Sequence, residues 1–144
     1  MQDLKQVLYS EIEDFRQVGH QFLNGEINMM KFKHVSGGLG VYAHRDKKEL
    51  MIRLRIPSGV LTLENMKLVG DLAKKYGLER IHLTTRQAIQ LHGLSIDEVC
   101  DLMKEALDHD LYTRGAGGNF PRNVAISPLS GVDPNEAFDV TPYA

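Results

Sequence analysis

Near the start of the chain, apolar or small residues recur at three- and four-residue steps: Leu4, Val7, Leu8, Ile12, Phe15, Gly19 and Phe22. A one-sided stripe of that period predicts a helix over about residues 2–24, and Asn24-Gly25 supplies its stop. Residues 29–45 keep no clean period, and Ser36-Gly37-Gly38 reads as a turn between two short β-like pieces. From residue 50 the pattern becomes alternating. Leu50, Ile52, Leu54 and Ile56 share one face and Met51, Arg53 and Arg55 the other, which predicts a half-buried strand with a basic outer face. Thr62 then caps a helix whose stripe is Leu63, Met66, Val69, Leu72, Ala73 and Tyr76, and Gly77 ends it. Ile81 and Leu83 are expected to point inward, opposite Arg80, His82 and Thr84. After a turn at Arg86-Gln87, Ile89 and Leu91 point to the core and Ala88, Gln90 and His92 away from it. Ser95-Ile-Asp-Glu98 is a capping box, in which serine and glutamate satisfy each other's free N–H groups. It opens a helix carrying Ile96, Val99, Cys100, Met103, Ala106 and Leu107, and Leu111-Tyr112-Thr113 is the candidate closing strand.

Read in order, these elements are strand, helix, strand, strand, helix, strand. That is a ferredoxin-like βαββαβ α+β sandwich with an added N-terminal helix and an extended C-terminal segment. Both crossover helices fall on one face of the sheet. The other face is expected to gather Arg53, Arg55, His82, Thr84, Gln90 and His92, a polar and basic surface that calls for a ligand or a partner. Beyond Gly118 no period is sustained, and Pro121, Pro128, Pro134 and Pro142 accumulate there, so that segment is expected to hold no core of its own.

Composition narrows the function classes. A chain of 144 residues with net charge −2 and 25% charged residues fits one domain, or one with an appendage, and does not fit a general nucleic-acid binder. The charge is uneven: Lys31, Lys33, Arg45, Lys47, Lys48, Arg53 and Arg55 stand against only Asp46 and Glu49 in that stretch. A basic surface confined in this way suits a defined anion better than a polymer. The single cysteine, Cys100, excludes an internal disulfide or a multi-cysteine cluster within the chain, and it sits on an apolar stripe as a core residue. No apolar run approaches the length of a membrane span and the N-terminus is polar, so the expected location is the cytoplasm, with neither membrane nor nucleic acid as partner.

The chemistry concentrates in residues 114–123, Arg-Gly-Ala-Gly-Gly-Asn-Phe-Pro-Arg-Asn. Glycines admit close approach of backbone to a ligand, and the forked guanidinium of arginine matches carboxylates and oxyanions. Arg53-Leu-Arg55-Ile-Pro57 and Thr84-Thr85-Arg86-Gln87, running on to Gln90 and His92, repeat that chemistry upstream. Gly38-Leu-Gly40-Val-Tyr-Ala43 formally fits a dinucleotide fingerprint, but Val41-Tyr42 favour extended chain where the fingerprint needs a helix. His82 and His92 lack companion metal ligands, so no metal site is expected. No serine–histidine–aspartate set or carboxylate pair supports hydrolysis.

Three motifs in this order, Arg53-Leu-Arg55-Ile-Pro57-x-Gly59, Leu83-Thr-Thr-Arg86-Gln87-x-x-Gln90-x-His92-Gly93 and Gly118-Asn119-x-x-Arg122-Asn123, resemble the siroheme-dependent nitrite and sulfite reductases. The similarity runs from about Met51 to Ala144 and is weaker before it. It implies the N-terminal ferredoxin-like half-domain of such an enzyme, joined to the start of its siroheme domain. In that family siroheme, bridged by a cysteine to a 4Fe–4S cluster, carries out six-electron reduction of sulfite to sulfide or of nitrite to ammonia. Siroheme carries eight carboxylates, which accounts physically for a concentration of arginines. By resemblance Arg53 and Arg122 are the catalytic residues facing the substrate oxyanion. Arg55, Arg86, Gln90, His92, Arg114, Gly118, Asn119 and Asn123 are the cofactor-binding ones.

The resemblance stops at the cluster, which needs four cysteines where this chain has one. The expected parts are residues 1–48 as an N-terminal helix with a β-like extension, 49–114 as the half-domain and 115–144 as the truncated start of the siroheme domain. A longer parent would carry siroheme, the cluster and the activity. The 144-residue chain would be inactive, hold neither cofactor stably, and pair with the C-terminal remainder or with a second copy of itself. An electron donor, ferredoxin or flavoprotein, would serve the parent. The alternative reading is a non-catalytic module that binds a tetrapyrrole or a partner.

Overall fold

A computed structural model describes residues 2–46 and 49–144, with no side-chain description for Gln2 and Asp3. The described elements are α1 (Gln2–Leu23), α2 (Met29–Gly38), β1 (Val41–Ala43), β2 (Leu50–Leu54), α3 (Leu63–Lys75), β3 (Ile81–Leu83), β4 (Ile89–Leu94) and α4 (Ile96–Asp108). The strands form one antiparallel sheet in the order β1-β2-β4-β3. The central pair is β2 with β4, whose Ile52 and Leu91 face one another, both wholly buried. The architecture is the expected α+β sandwich of ferredoxin-like type, with α1 in front and an extended segment behind.

The crossover helices start where their caps require. Thr62 accepts from the Asn65 N–H at 3.1 Å to open α3, and the Ser95/Glu98 capping box opens α4 with both reciprocal bonds formed. All six stripe residues of α4, Cys100 among them, are buried. Burial of the Cys100 thiol pushes its pKa up to about 12, which keeps it protonated and unreactive. Arg16 of α1 clasps the solvent edge of α4, reaching Asp97 at 2.7 Å and Asp101 at 2.6 Å. The helices cross closely at Gly19, where a Cβ would lie 2.2 Å from Ile96.

Four local expectations are corrected. Residues 29–38 are a helix, not β-like. Asn28 accepts from the Lys31 N–H at 2.9 Å to cap it, and Phe32 is wholly buried, stacked on Phe22 at 4.3 Å. Residues 111–113 form no strand. The outer edge of β2 is already taken by β1 and by Gly40, whose carbonyl accepts from Arg53 N–H, which leaves only Arg55 N–H to donate to the Tyr112 carbonyl. Ile81 and Leu83 are 41% and 72% exposed, because β3 pairs only with β4 and lies at the sheet edge beyond the packed helices. The first turn of the α3 stripe is exposed as well, Leu63 at 82% and Met66 at 55%.

Candidate functional site

The site is built on the β3–β4 hairpin and the strand beside it. Thr84 N–H donates to the Ala88 carbonyl at 2.9 Å, Gln87 N–H to the Thr84 carbonyl at 3.0 Å, and Ala88 N–H to Thr84 Oγ1 at 3.1 Å. Gln87 adopts a left-handed φ of 57°. This is a three-residue hairpin loop closed by a left-handed residue, and Arg86 stands at its tip. Register sets the rest: Arg53 lies opposite Gln90 across β2–β4, and Gln90 opposite His82 across β3–β4. Opposed residues share a face, so Arg53, Gln90 and His82 make one polar row across three strands.

Above that row is a cleft of about 350 Å³ lined by Arg53, His82, Leu83, Thr84, Thr85, Arg86, Ala88, Gln90, Arg122 and Asn123, with no acidic residue among them. Arg53 donates through Nη1 to the Ala116 carbonyl at 2.8 Å and rests over the Tyr42 ring, 5.6 Å from its centre. Burial holds the Arg53 pKa below its ordinary value; the neighbouring charges of Arg122 and Arg86 act in the same direction, and Tyr42 opposes them. Mutually repelling guanidinium groups with no carboxylate among the described lining residues form a surface suited to a polyanion.

Arg122 reaches this cleft because the tail is fastened over the hairpin. Asn123 Nδ2 donates to the carbonyls of Ile56 (2.7 Å), Arg86 (2.9 Å) and Gln87 (3.3 Å). The Gln87 side chain pairs with the backbone of Ile126 in both directions, at 2.8 and 3.3 Å. Ser58 N–H donates to the Val124 carbonyl at 3.0 Å. Arg122 itself has φ 70°, which turns the chain back at this point. The glycine run packs just upstream: Gly118 N–H donates to Tyr42 Oη at 2.8 Å. A Cβ on Gly117 would lie 2.4 Å from that oxygen and 2.6 Å from the Gly37 carbonyl, so position 117 admits only glycine.

The structure thus brings together Arg53, Arg86, Gln90, Arg122 and Asn123 from the set expected on sequence, and separates the others. Arg55, past the end of β2, turns away from the row to line a second hollow with Tyr112, its Nη1 3.5 Å from the Arg114 carbonyl. Arg114 forms an ion pair with Glu11 of α1. Gly118 lies in the tail loop against Tyr42, and Asn119 is exposed beside it. His92 belongs to a neighbouring hollow of about 840 Å³ with His44 and His82. Its Nδ1 is 3.3 Å from His44 Nε2, and its Nε2 is buried without a partner. Burial chiefly, then His44, His82 and nearby arginines, lower the His92 pKa. Tyr42 and Gln87 are site residues that the sequence does not single out, because they act by holding other segments in place. Gln87 sits inside a quoted motif, whereas Tyr42 has no local signal beyond β-propensity.

Comparison with known proteins bears on the same elements. The model of the nitrite/sulfite reductase ferredoxin-like half domain matches residues 42–109, which span β1 to α4. Residues 42–109 are thus similar to that half domain. A ferredoxin–nitrite reductase of Leptolyngbya laminosa is 27% identical over 132 residues, covering 90% of this chain and 25% of that protein. The sulfite reductase [NADPH] hemoprotein beta-component of Geobacillus kaustophilus is 36% identical over 108 residues, covering 69% and 19%. The solved structure of the Mycobacterium tuberculosis NirA protein superimposes with a TM-score of 0.69 at 23% identity, covering 80% of this chain and 24% of that one, a likeness of fold. The chain therefore spans a quarter or less of the curated relatives named here.

Proposed function

We propose that this chain forms part of a nitrite or sulfite reductase and supplies one wall of its siroheme and oxyanion site. The observation that carries this reading is the cleft in which Arg53, Arg86 and Arg122 converge with no acidic partner lining it. That donor set fits a carboxylate-rich macrocycle. Arg86 and Arg122 would hold its carboxylates, Gln90 would set the Arg53 guanidinium beside them, and Arg53 and Arg122 would draw in the substrate anion. Siroheme, when bound, supplies the electron path to the anion. The protein's share is to orient the carboxylates and to stabilise negative charge through donors fixed in place beforehand. The 4Fe–4S cluster and the remaining half of the site belong in this reading to other parts of the enzyme, and the electron donor is a separate partner. Relatives named for ferredoxin or for NADPH leave ferredoxin and flavoprotein donors equally compatible. The division at residues 48/49 and 114/115 is part of the same proposal.

The reading is tested by titrating the 144-residue chain with siroheme and following its absorbance. Weak, reversible binding is expected, because only one wall is present. Arg86→Ala and Arg122→Ala each remove a charge-assisted bond worth about 1.5–3 kcal/mol, so affinity should drop by roughly ten- to a hundredfold. Unfolding midpoints should hardly move, since neither side chain belongs to the apolar core. Unchanged binding in both variants, or no binding by the wild type even at high siroheme, would sink the reading.

A further inference from the structure

The row across the sheet contains a hydrogen-bonding chain that decides which nitrogen of His82 carries its proton. Arg53 offers only N–H groups, so the Gln90 amide must present its oxygen to them: it accepts from Arg53 Nε at 3.1 Å and Nη2 at 2.6 Å. With the oxygen committed, the amide nitrogen faces His82, 3.3 Å from Nδ1. An amide N–H needs an acceptor, and a hydrogen on Nδ1 would set donor against donor. The proton of the neutral ring is therefore on Nε2. Gln90 is buried at 8% exposure, so water does not readily rescue a wrong orientation. His82 lines both the arginine cleft and the histidine hollow, and none of the described residues accepts a hydrogen bond from its Nε2.

We propose that Arg53, acting through Gln90, fixes His82 as an Nε2–H donor, and that His82 is thereby a further anion-binding group of the arginine cleft, taking a carboxylate or oxyanion oxygen. The assignment rests on reading that cleft as an anion site. Gln90 is in this view a positioning residue, which converts the permanent charge of Arg53 into a defined tautomer two strands away. His82 supplies the contact itself. In that tautomer Nε2–H adds a directed donor beside arginines that already repel one another.

Nitrogen-15 NMR of the full chain reads the tautomer directly. Wild type should show His82 with a pyridine-like Nδ1 and a pyrrole-like Nε2. Gln90→Glu keeps the shape but offers an oxygen on both sides, so His82 Nδ1 should gain a proton. A loss of packing alone would not produce that switch. A wild-type Nδ1–H tautomer, or no response to Gln90→Glu, would overturn the relay. For the contact, His82→Phe keeps the ring stacked beside His92, 6.0 Å away in the wild type, but removes the donor. It should weaken binding roughly tenfold, as expected for one hydrogen bond to a charged group. Inorganic sulfite and metal-free uroporphyrin serve as probes: loss with sulfite assigns a substrate oxygen, loss with uroporphyrin a macrocycle carboxylate. If His82→Phe bound both probes like the wild type, His82 would not be a ligand of the cleft. If the wild type bound neither probe, the anion-site reading would fall, and the tautomer spectra would still judge the relay.

Discussion

At the scale of single residues, the described polar groups divide into those that are satisfied and those that are not. Arg16 and the capping pair Ser95/Glu98 have their partners and hold helices in place. His92 Nε2 is buried without one, as are Asn123 Oδ1, Arg55 Nε and Ser36 Oγ among the described residues. His92 yields a pH prediction. Its pKa is lowered from 6.5 by burial and by its histidine and arginine neighbours. The unfolded chain therefore binds that proton more readily than the folded one, and stability rises with pH across the window. The contribution is complete above about pH 6.5 and is lost as pH falls through that value towards the lowered folded pKa. Carboxylates such as Asp97 and Asp110, whose values are lowered from 3.8 by their basic partners, act only at lower pH. Urea unfolding at pH 7.5 and pH 5.5 should show a lower midpoint in acid, and His92→Gln should narrow the gap. An unchanged gap in that variant would assign the effect to other groups.

At the scale of elements, the tail after Gly118 shows how an extended segment without a core can still be ordered. Its apolar side chains are largely exposed, Phe120 at 50%, Leu129 at 57% and Phe138 at 64%, so hydrophobic burial does not hold it. Hydrogen bonds from Asn123, Gln87 and Ser58 fasten its first part over the hairpin and so deliver Arg122 to Arg53 and Arg86. Removing the Asn123 amide takes away the donor shared by the Arg86, Gln87 and Ile56 carbonyls, of which Ile56 keeps the Gly59 N–H. Asn123→Ala should cost about 1–3 kcal/mol in fastening the segment and speed limited proteolysis between residues 119 and 130, with the far-ultraviolet signal of the helices unchanged. Cleavage at the wild-type rate would show that another contact holds the segment.

For the whole molecule, the open edge of β3 is the feature suited to association. Ile81 and Leu83 are exposed on a strand that pairs on one side only, and an unpaired apolar edge favours pairing with another chain. In the reading proposed above, this surface would meet the rest of a reductase; for the chain by itself, we propose a two-fold homodimer. Light scattering should show the apparent mass rising towards twice the monomer's 16.2 kDa through the micromolar range. Leu83→Lys, a charge on the edge, should keep the chain monomeric. A strict monomer at high micromolar concentration would end this proposal.

Much of the molecule was legible in the sequence, because its information is local. Periodicity and caps determined α1, α3 and α4, since a helix stripe and a serine–glutamate box act within a few residues of one another. Alternation determined β2 and β4 and placed Arg53, Gln90 and His82 on one face. Tertiary structure decided what depends on competition for partners. Which segment takes the outer edge of β2 turned on β1 pairing there in place of residues 111–113. The helicity of 29–38 turned on the aromatic face that α1 offers to Phe32. The membership of the cleft was likewise non-local. Arg55 and Arg114 carry the same charge as Arg53 and Arg122, but strand register, the Glu11 ion pair and the fastening of the tail sort them apart. Charge and glycine content are written along the chain, whereas convergence is made only when distant segments are fixed against one another.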